Sequence, residues 1–260
     1  MSLNYTNLPS WLANNAVFRK LFLLRKLYVS KTKFSHYSQF AEDISICRFF
    51  PKRHIGFFVD VGCFHPKKYN NTYSLYRRGW RGINIDIDSI KIDGFNVVRP
   101  ADINIQSAVS NSSGTITYWA NGFYSLTTSL DTAFTEGKEG YIQKTVNCEK
   151  LSALIDSTKY KNRKIDLLSV DAEGHDLVVL QSLDFGRYDP SLIAVEIHET
   201  TLPKIMNNDL YVFLLNKGYA LVGWCGLTLL MASSSLLNKP EPTVKKSTDL
   251  EAEAQANRPI

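Results

Sequence analysis

The chain of 260 residues is 44% hydrophobic and 12% aromatic, enough apolar material for one sizeable core, which excludes disorder throughout. Its formal charge of +5 is unevenly placed: Arg19, Lys20, Arg25, Lys26, Lys31 and Lys33 precede the first acid, Glu42, and the remainder sums to about −1. A nearly neutral body lacks the basic track of a nucleic-acid enzyme, so no nucleic acid is expected among its partners.

The first element in chain order is a basic amphipathic helix, with Val17, Leu21, Leu24 and Tyr28 on one face and Arg19 and Lys26 opposite. Residues 1–36 thus read as an N-terminal extension that either packs on the main domain or attaches peripherally to an anionic membrane surface. No window is apolar and uncharged for the roughly 20 residues a bilayer requires, and no secretion signal is evident. Cys47, Cys63, Cys148 and Cys225 lie far apart without metal-ligand or redox spacing. They read as reduced core thiols, and the cytoplasm is the expected compartment.

Residues 37–232 read as one α/β domain. Apolar, β-rich runs at 56–61, 82–87, 103–110, 165–170 and 191–197 alternate with helical stretches, the signature of βαβ units and a mostly parallel sheet. Continuous apolar runs such as FFVDV and LIAVEI suit strands covered on both faces. A helix-like stretch at 208–217 precedes strands at 219–224 and 227–232, spaced as an antiparallel hairpin around Cys225 and Gly226. Seven strands ending in such a hairpin predict the Rossmann-like class I methyltransferase fold. An insertion at 114–160, with strand-like pieces at 115–119 and 145–148, is a candidate substrate lid, and residues from 233 onward read as a disordered tail.

The chemistry is expected where strands end, because ligands of open α/β sheets bind outside their carboxyl ends. In FFVDVGCFHP (57–66) Asp60 is placed to accept from the ammonium of a methionine-bearing cofactor, and Gly62 to clear space for a ligand. The full GxGxxG fingerprint of dinucleotide sites is missing, since Cys63, Phe64 and His65 follow Gly62. Asn70, Asn71 and Thr72 precede a helical run at 73–78 and are expected to cap it, with a carboxylate of the cofactor at its N-terminus. Asp86 closes the second strand about 20 residues on, where an acid grips ribose hydroxyls; Asp88 reads equally as a helix cap. The ribose acid suits a nucleoside cofactor without choosing between S-adenosylmethionine and NAD. Asp102, Ala108 and Val109 are expected to border the adenine.

The densest constellation is IDLLSVDAEGHD (165–176), which delivers Asp171, Glu173 and His175 to a strand end, beside Glu196 and His198 of IAVEIHE. Converging acids and imidazoles there are candidates to deprotonate an acceptor hydroxyl, or to hold a divalent metal that acidifies it.

These pieces together resemble the FkbM family of methyltransferases over about residues 37–233: SQFAED (38–43), FVDVGCFHP, NNTYSLYRRGWRGINID (70–86), the AVS at 108–110, DLLSVDAEGHDLVVLQSLDF (166–185) and the IAVE ending at Glu196. The resemblance implies a class I fold, S-adenosylmethionine as methyl donor and usually O-methylation of a sugar, glycan or small-molecule hydroxyl. It also implies that Gln39, Glu42 and Asp43 lie near the cofactor. The chain departs from the commoner family pattern at Cys63, Phe64 and Asp86, where a glutamate is common. The family transfers no universal catalytic base, so Asp171 is chosen by position. The rival readings are a nicotinamide-dependent oxidoreductase and a noncatalytic carbohydrate-binding protein on the same fold.

Overall fold

The computed structural model describes residues 15–24, 36–121, 128–129 and 141–237, in two compact units, 1–36 and 37–260. In the first unit, helix α1 (Ala16–Leu24) starts where Asn15 Oδ1 accepts from the backbone N–H groups of Val17 and Phe18, both at 3.0 Å. That is the bonding of an N-cap. Lys26 and Tyr28 of the expected amphipathic helix lie outside the described residues. Among the described residues no helix is long and apolar enough to cross a membrane.

The second unit runs α2 (Glu42–Arg48), β1 (Phe57–Val61), α3 (Tyr73–Arg77), β2 (Arg81–Asp86), α4 (Ser89–Val98), β3 (Ile103–Gln106) and β4 (Ala108–Val109). It continues through β5 (Gly114–Asn121), β6 (Thr128–Ser129), β7 (Tyr141–Glu149), α5 (Leu151–Asp156), β8 (Leu167–Val170), α6 (Asp176–Gln181) and α7 (Phe185–Tyr188). It closes with β9 (Leu192–Glu196), α8 (Leu202–Met206), α9 (Asp209–Asn216), β10 (Tyr219–Cys225), β11 (Thr228–Ser233) and α10 (Ser234–Leu237).

The main sheet has seven strands in the order β10-β11-β9-β8-β1-β2-β3. β11 alone runs opposite to the other six strands, so the expected class I architecture is present. The apolar runs become strands because every residue of FFVDV and of LLSV is buried, a load that only a two-sided cover of helices can satisfy. Phe57, Val59 and Val61 join one apolar cluster with Leu168, Val170 and Val195. Phe58 joins the other, with Leu75, Trp80 and Leu230. The order reverses between β1 and β8, which opens the crevice used by ligands in such sheets.

The expected strand at 103–110 is broken. β3 ends at Gln106, the Ser107 N–H donates to Asp86 O at 3.0 Å, and β4 leaves for a second, four-stranded sheet of order β4-β7-β5-β6. The insertion therefore carries a sheet of its own, with β5 and β7 paired antiparallel from Gly114↔Cys148 to Asn121↔Tyr141; residues 122–127 and 130–140 lie outside the described residues. At the other end Ser233 completes β11 and Ser234–Leu237 is a short helix, while 238–260 lies outside the described residues.

Candidate functional site

Asp60 lies in register with Asn84 on β2 and Ser169 on β8. Its Oδ2 accepts from Thr72 Oγ1 at 2.8 Å and Asn70 Nδ2 at 3.2 Å. Burial pushes its pKa up, opposed by the Arg99 guanidinium and by the hydrogen-bond donors. The fully buried Arg99 donates through Nη1 to Thr72 Oγ1 at 3.0 Å and Asn70 Oδ1 at 3.2 Å. Asn71 Nδ2 reaches Ser169 Oγ at 3.4 Å. This network corrects the expected capping role: Thr72 holds the N-cap position of α3 without a side-chain cap bond. Its hydroxyl is drawn to the buried carboxylate instead.

Asp102 is a second correction. It precedes β3 and so sits at the amino end of the sheet, away from the strand termini where an adenine would lie. There its carboxylate accepts from Gly82 N at 3.0 Å, Asn84 Nδ2 at 3.2 Å and Arg99 Nε at 2.9 Å.

Asp86 is at the expected strand end, 5% exposed. The turn after β1 docks onto it: Gly62 and Cys63 donate their N–H groups to Ile85 O at 2.9 and 3.2 Å, and Phe64 N donates to Asp86 Oδ2 at 3.1 Å. Its Oδ1 accepts from Asp88 N at 3.0 Å and lies 3.5 Å from Lys91 Nζ. Asp88 caps α4 by accepting from Ile90 N at 3.3 Å, and lies 3.5 Å from Lys144 Nζ. Beside this pair is a cavity of ≈ 520 Å³ lined by Ser89 and Asp93 of α4, Gln106 of β3, and Tyr118, Lys144 and Thr145 of the second sheet. Gln106 is the register partner of Asp86. Burial, with Asp88 and Asp86 nearby, pushes the Tyr118 hydroxyl up to about 12.

Ala108 and Val109 do not line that cavity. Ala108 packs with Tyr118, Ala120 and Val146 in the core of the second sheet, and Val109 packs against the main core, because the chain turns out of the main sheet at Ser107.

The third group is acidic. Asp171 N donates to Val61 O at 3.0 Å, which brings the carbonyl of Asp171 over Gly62; a Cβ on that glycine would lie 1.7 Å from Asp171 O. The close approach expected of Gly62 is thus made by the backbone at the end of β8. Asp176 holds the following turn by accepting from Ala172 N at 2.9 Å and Gly174 N at 3.2 Å. Within that turn Glu173 has φ 50, a conformation that non-glycine residues seldom adopt.

The Asp171 carboxyl is hydrogen-bonded to Glu196, and its pKa is pushed well above the ordinary carboxylate range by burial first and then by Glu196, Glu173 and Asp176. As a whole residue Asp171 is open to solvent at the end of β8. Burial also raises Glu196, offset by the bond from Asp171 and by His198, whose Nε2 lies 3.4 Å from Glu196 Oε2. Two acids in contact share one proton. The structure thus joins Asp171, Glu196 and His198, places Glu173 within electrostatic reach, and leaves His175 exposed at the start of α6. Among the described residues no group of three or more His, Cys, Asp or Glu is arranged to hold a metal ion.

Glu42 and Asp43 are buried and committed to the protein. Glu42 accepts from Phe40 N at 2.7 Å and Thr228 Oγ1 at 3.3 Å. Asp43 accepts from Tyr37 N at 3.1 Å, Ser38 Oγ at 2.8 Å and Ser74 Oγ at 2.6 Å. They brace the 37–43 segment against β11 and α3, and Gln39 beside them is exposed. Sequence reasoning missed Lys91, which reaches back over the first turn of α4 to Asp86, and Lys144, Tyr118 and Thr228, whose partners lie far away along the chain.

A solved structure described as a TehB-like SAM-dependent methyltransferase from Corynebacterium glutamicum ATCC 13032 Kitasato is similar at 12% identity and a TM-score of 0.39, over 84% of this chain and 97% of that one. No curated protein matches. The profile of the methyltransferase FkbM domain matches residues 56–221, from β1 into β10 and most of the chain: this protein belongs to the FkbM methyltransferase family.

Proposed function

We propose that the protein transfers a methyl group from S-adenosylmethionine to a hydroxyl of a small-molecule or glycan acceptor. The observation that carries the reading is the placement of Asp60 and Asp86 at neighbouring strands, joined by the turn at 62–64, with a cavity beyond Asp86. Asp86 would hold the ribose, the cavity would take the base, and the Asp60 carboxylate would face the amino-acid end. Asp88 Oδ2, buried without a hydrogen-bond partner, suits a donor group from the nucleoside.

When bound, S-adenosylmethionine supplies a sulfonium methyl, to which the acceptor oxygen bonds as the S–C bond breaks. The chain's part is to align the two reactants, which removes roughly 7–11 kcal/mol of barrier in well-oriented systems, and to take the proton. Asp171, once its proton has left, is the base, and its raised pKa makes its carboxylate a stronger one than an ordinary carboxylate. His198 beside Glu196 favours its ionised form. A divalent metal would need donors beyond those that the described residues bring together.

The test is thermal unfolding with ligands. S-adenosylhomocysteine raises the Tm and NAD leaves it unchanged; stabilisation by NAD alone overturns the reading in favour of an oxidoreductase.

A further inference from the structure

Phe40 and Trp224 are 45% and 40% exposed, yet both are held at one turn. Gly226 closes the β10–β11 hairpin with φ 60, and a Cβ there would lie 2.2 Å from Phe40 Cδ2 and 2.4 Å from Cγ. The phenyl ring therefore rests on the glycine backbone, and Trp224 Nε1 donates to Gly226 O at 2.7 Å. Because β11 is antiparallel to both β9 and β10, β10 runs with the parallel strands. The turn at its carboxyl end thus stands on the same edge of the sheet as Asp171 and Glu196. A bonded path joins the two: Phe40 N donates to Glu42, Glu42 accepts from Thr228, and Thr228 is the register partner of Glu196.

Aromatic faces fixed before binding lose little conformational entropy when a ligand covers them. Their neighbours select the ligand. Glu196, Asp171, His198 and the exposed Gln39 are polar, and a purely apolar acceptor lying here would strip their water without replacing the hydrogen bonds. A pyranose ring meets both demands, with C–H faces for the aromatic rings and hydroxyls around its rim.

We infer that Phe40 and Trp224 form the stacking surface for a pyranose ring of the acceptor, which presents one hydroxyl to the Asp171–Glu196 pair. The inference rests on the methyl-transfer reading for the identity of the site, and the binding surface is testable separately.

The experiment is saturation-transfer difference NMR on the full chain with S-adenosylhomocysteine and a panel of methyl glycopyranosides (glucose, galactose, mannose, fucose, rhamnose and N-acetylglucosamine), with cyclohexanol as the apolar control. At least one glycoside shows saturation of its ring C–H protons above the control. Trp224→Ala and Phe40→Ala weaken its binding about fivefold to tenfold while Trp224→Phe largely retains it. Circular dichroism and calorimetry with S-adenosylhomocysteine show the same fold and donor affinity in all four proteins. Glycosides no better than cyclohexanol, or binding unchanged in both alanine variants, overturn the inference. A wild-type chain that binds a glycoside through these rings but no S-adenosylhomocysteine refutes the donor reading instead.

Discussion

The backbone carbonyl of Asp171 occupies the space above Gly62: any side chain at that glycine would begin 1.7 Å from the oxygen. The turn that follows β1 and the acid at the end of β8 are thereby packed as one unit. Gly62 also has φ 73, so Gly62→Ala combines a left-handed backbone penalty with a steric clash. We expect a loss of about 2–4 kcal/mol, seen as a lower denaturation midpoint in urea, and donor binding weakened along with it. A variant as stable as wild type would contradict this packing.

The shared proton of Asp171 and Glu196 predicts a pH profile. The folded-state pKa of Asp171 is raised, so the stability this group contributes is full below its unfolded pKa. It declines as pH rises from the ordinary carboxylate range through the folded pKa, because the proton must be given up from the fold. Catalysis runs oppositely: the base form increases with pH, so kcat climbs through neutral pH. Glu196→Gln removes the neighbouring charge and shifts that climb to lower pH, whereas Asp171→Asn lowers kcat at least about a hundredfold. A flat profile across roughly pH 5 to 9, the span through which an acid raised to about 9 gives up its proton, would rule the pair out as the base.

Asp102 is assigned to the scaffold. Its partner Arg99 is wholly buried and bonds also to Thr72 and Asn70, so Asp102→Ala leaves an uncompensated internal charge and costs about 3–5 kcal/mol. The protein that remains folded binds S-adenosylhomocysteine with wild-type affinity. Calorimetry at low temperature checks this, and a large affinity loss at unchanged stability would restore the adenine-contact role.

The cavity between α4 and the second sheet is assigned to the base of the donor. Thr145 is exposed on its wall, so Thr145→Trp fills it without disturbing the core. We expect at least about tenfold weaker S-adenosylhomocysteine binding and an unchanged Tm without ligand; full affinity would place the base elsewhere.

The strands were legible because a two-sided buried strand is a continuous apolar run, and Asp86, Asp171 and Glu196 were legible because they end such runs. Long-range partners were not. Nothing local in SQFAED tells that Glu42 will bond to Thr228, 186 positions away, or that the hydroxyl of Thr72 will turn to Asp60 instead of capping its own helix. The run at 103–110 carries the composition of one strand, and its break at Ser107 is set by pairing with a sheet formed much later in the chain. The start of that run at 103 was legible and already put Asp102 at the amino end of its strand; the buried partners that fix its role, Gly82, Asn84 and Arg99, were not.

The central claim is that Asp86 holds the nucleoside of the methyl donor. Calorimetric titration of S-adenosylhomocysteine into wild type, Asp86→Asn and Asp86→Ala, each verified as folded by circular dichroism, tests it most directly. The account predicts binding by wild type and a loss of about tenfold to a hundredfold in the variants, the worth of hydrogen bonds to a charged group. Equal affinity in all three proteins would contradict it.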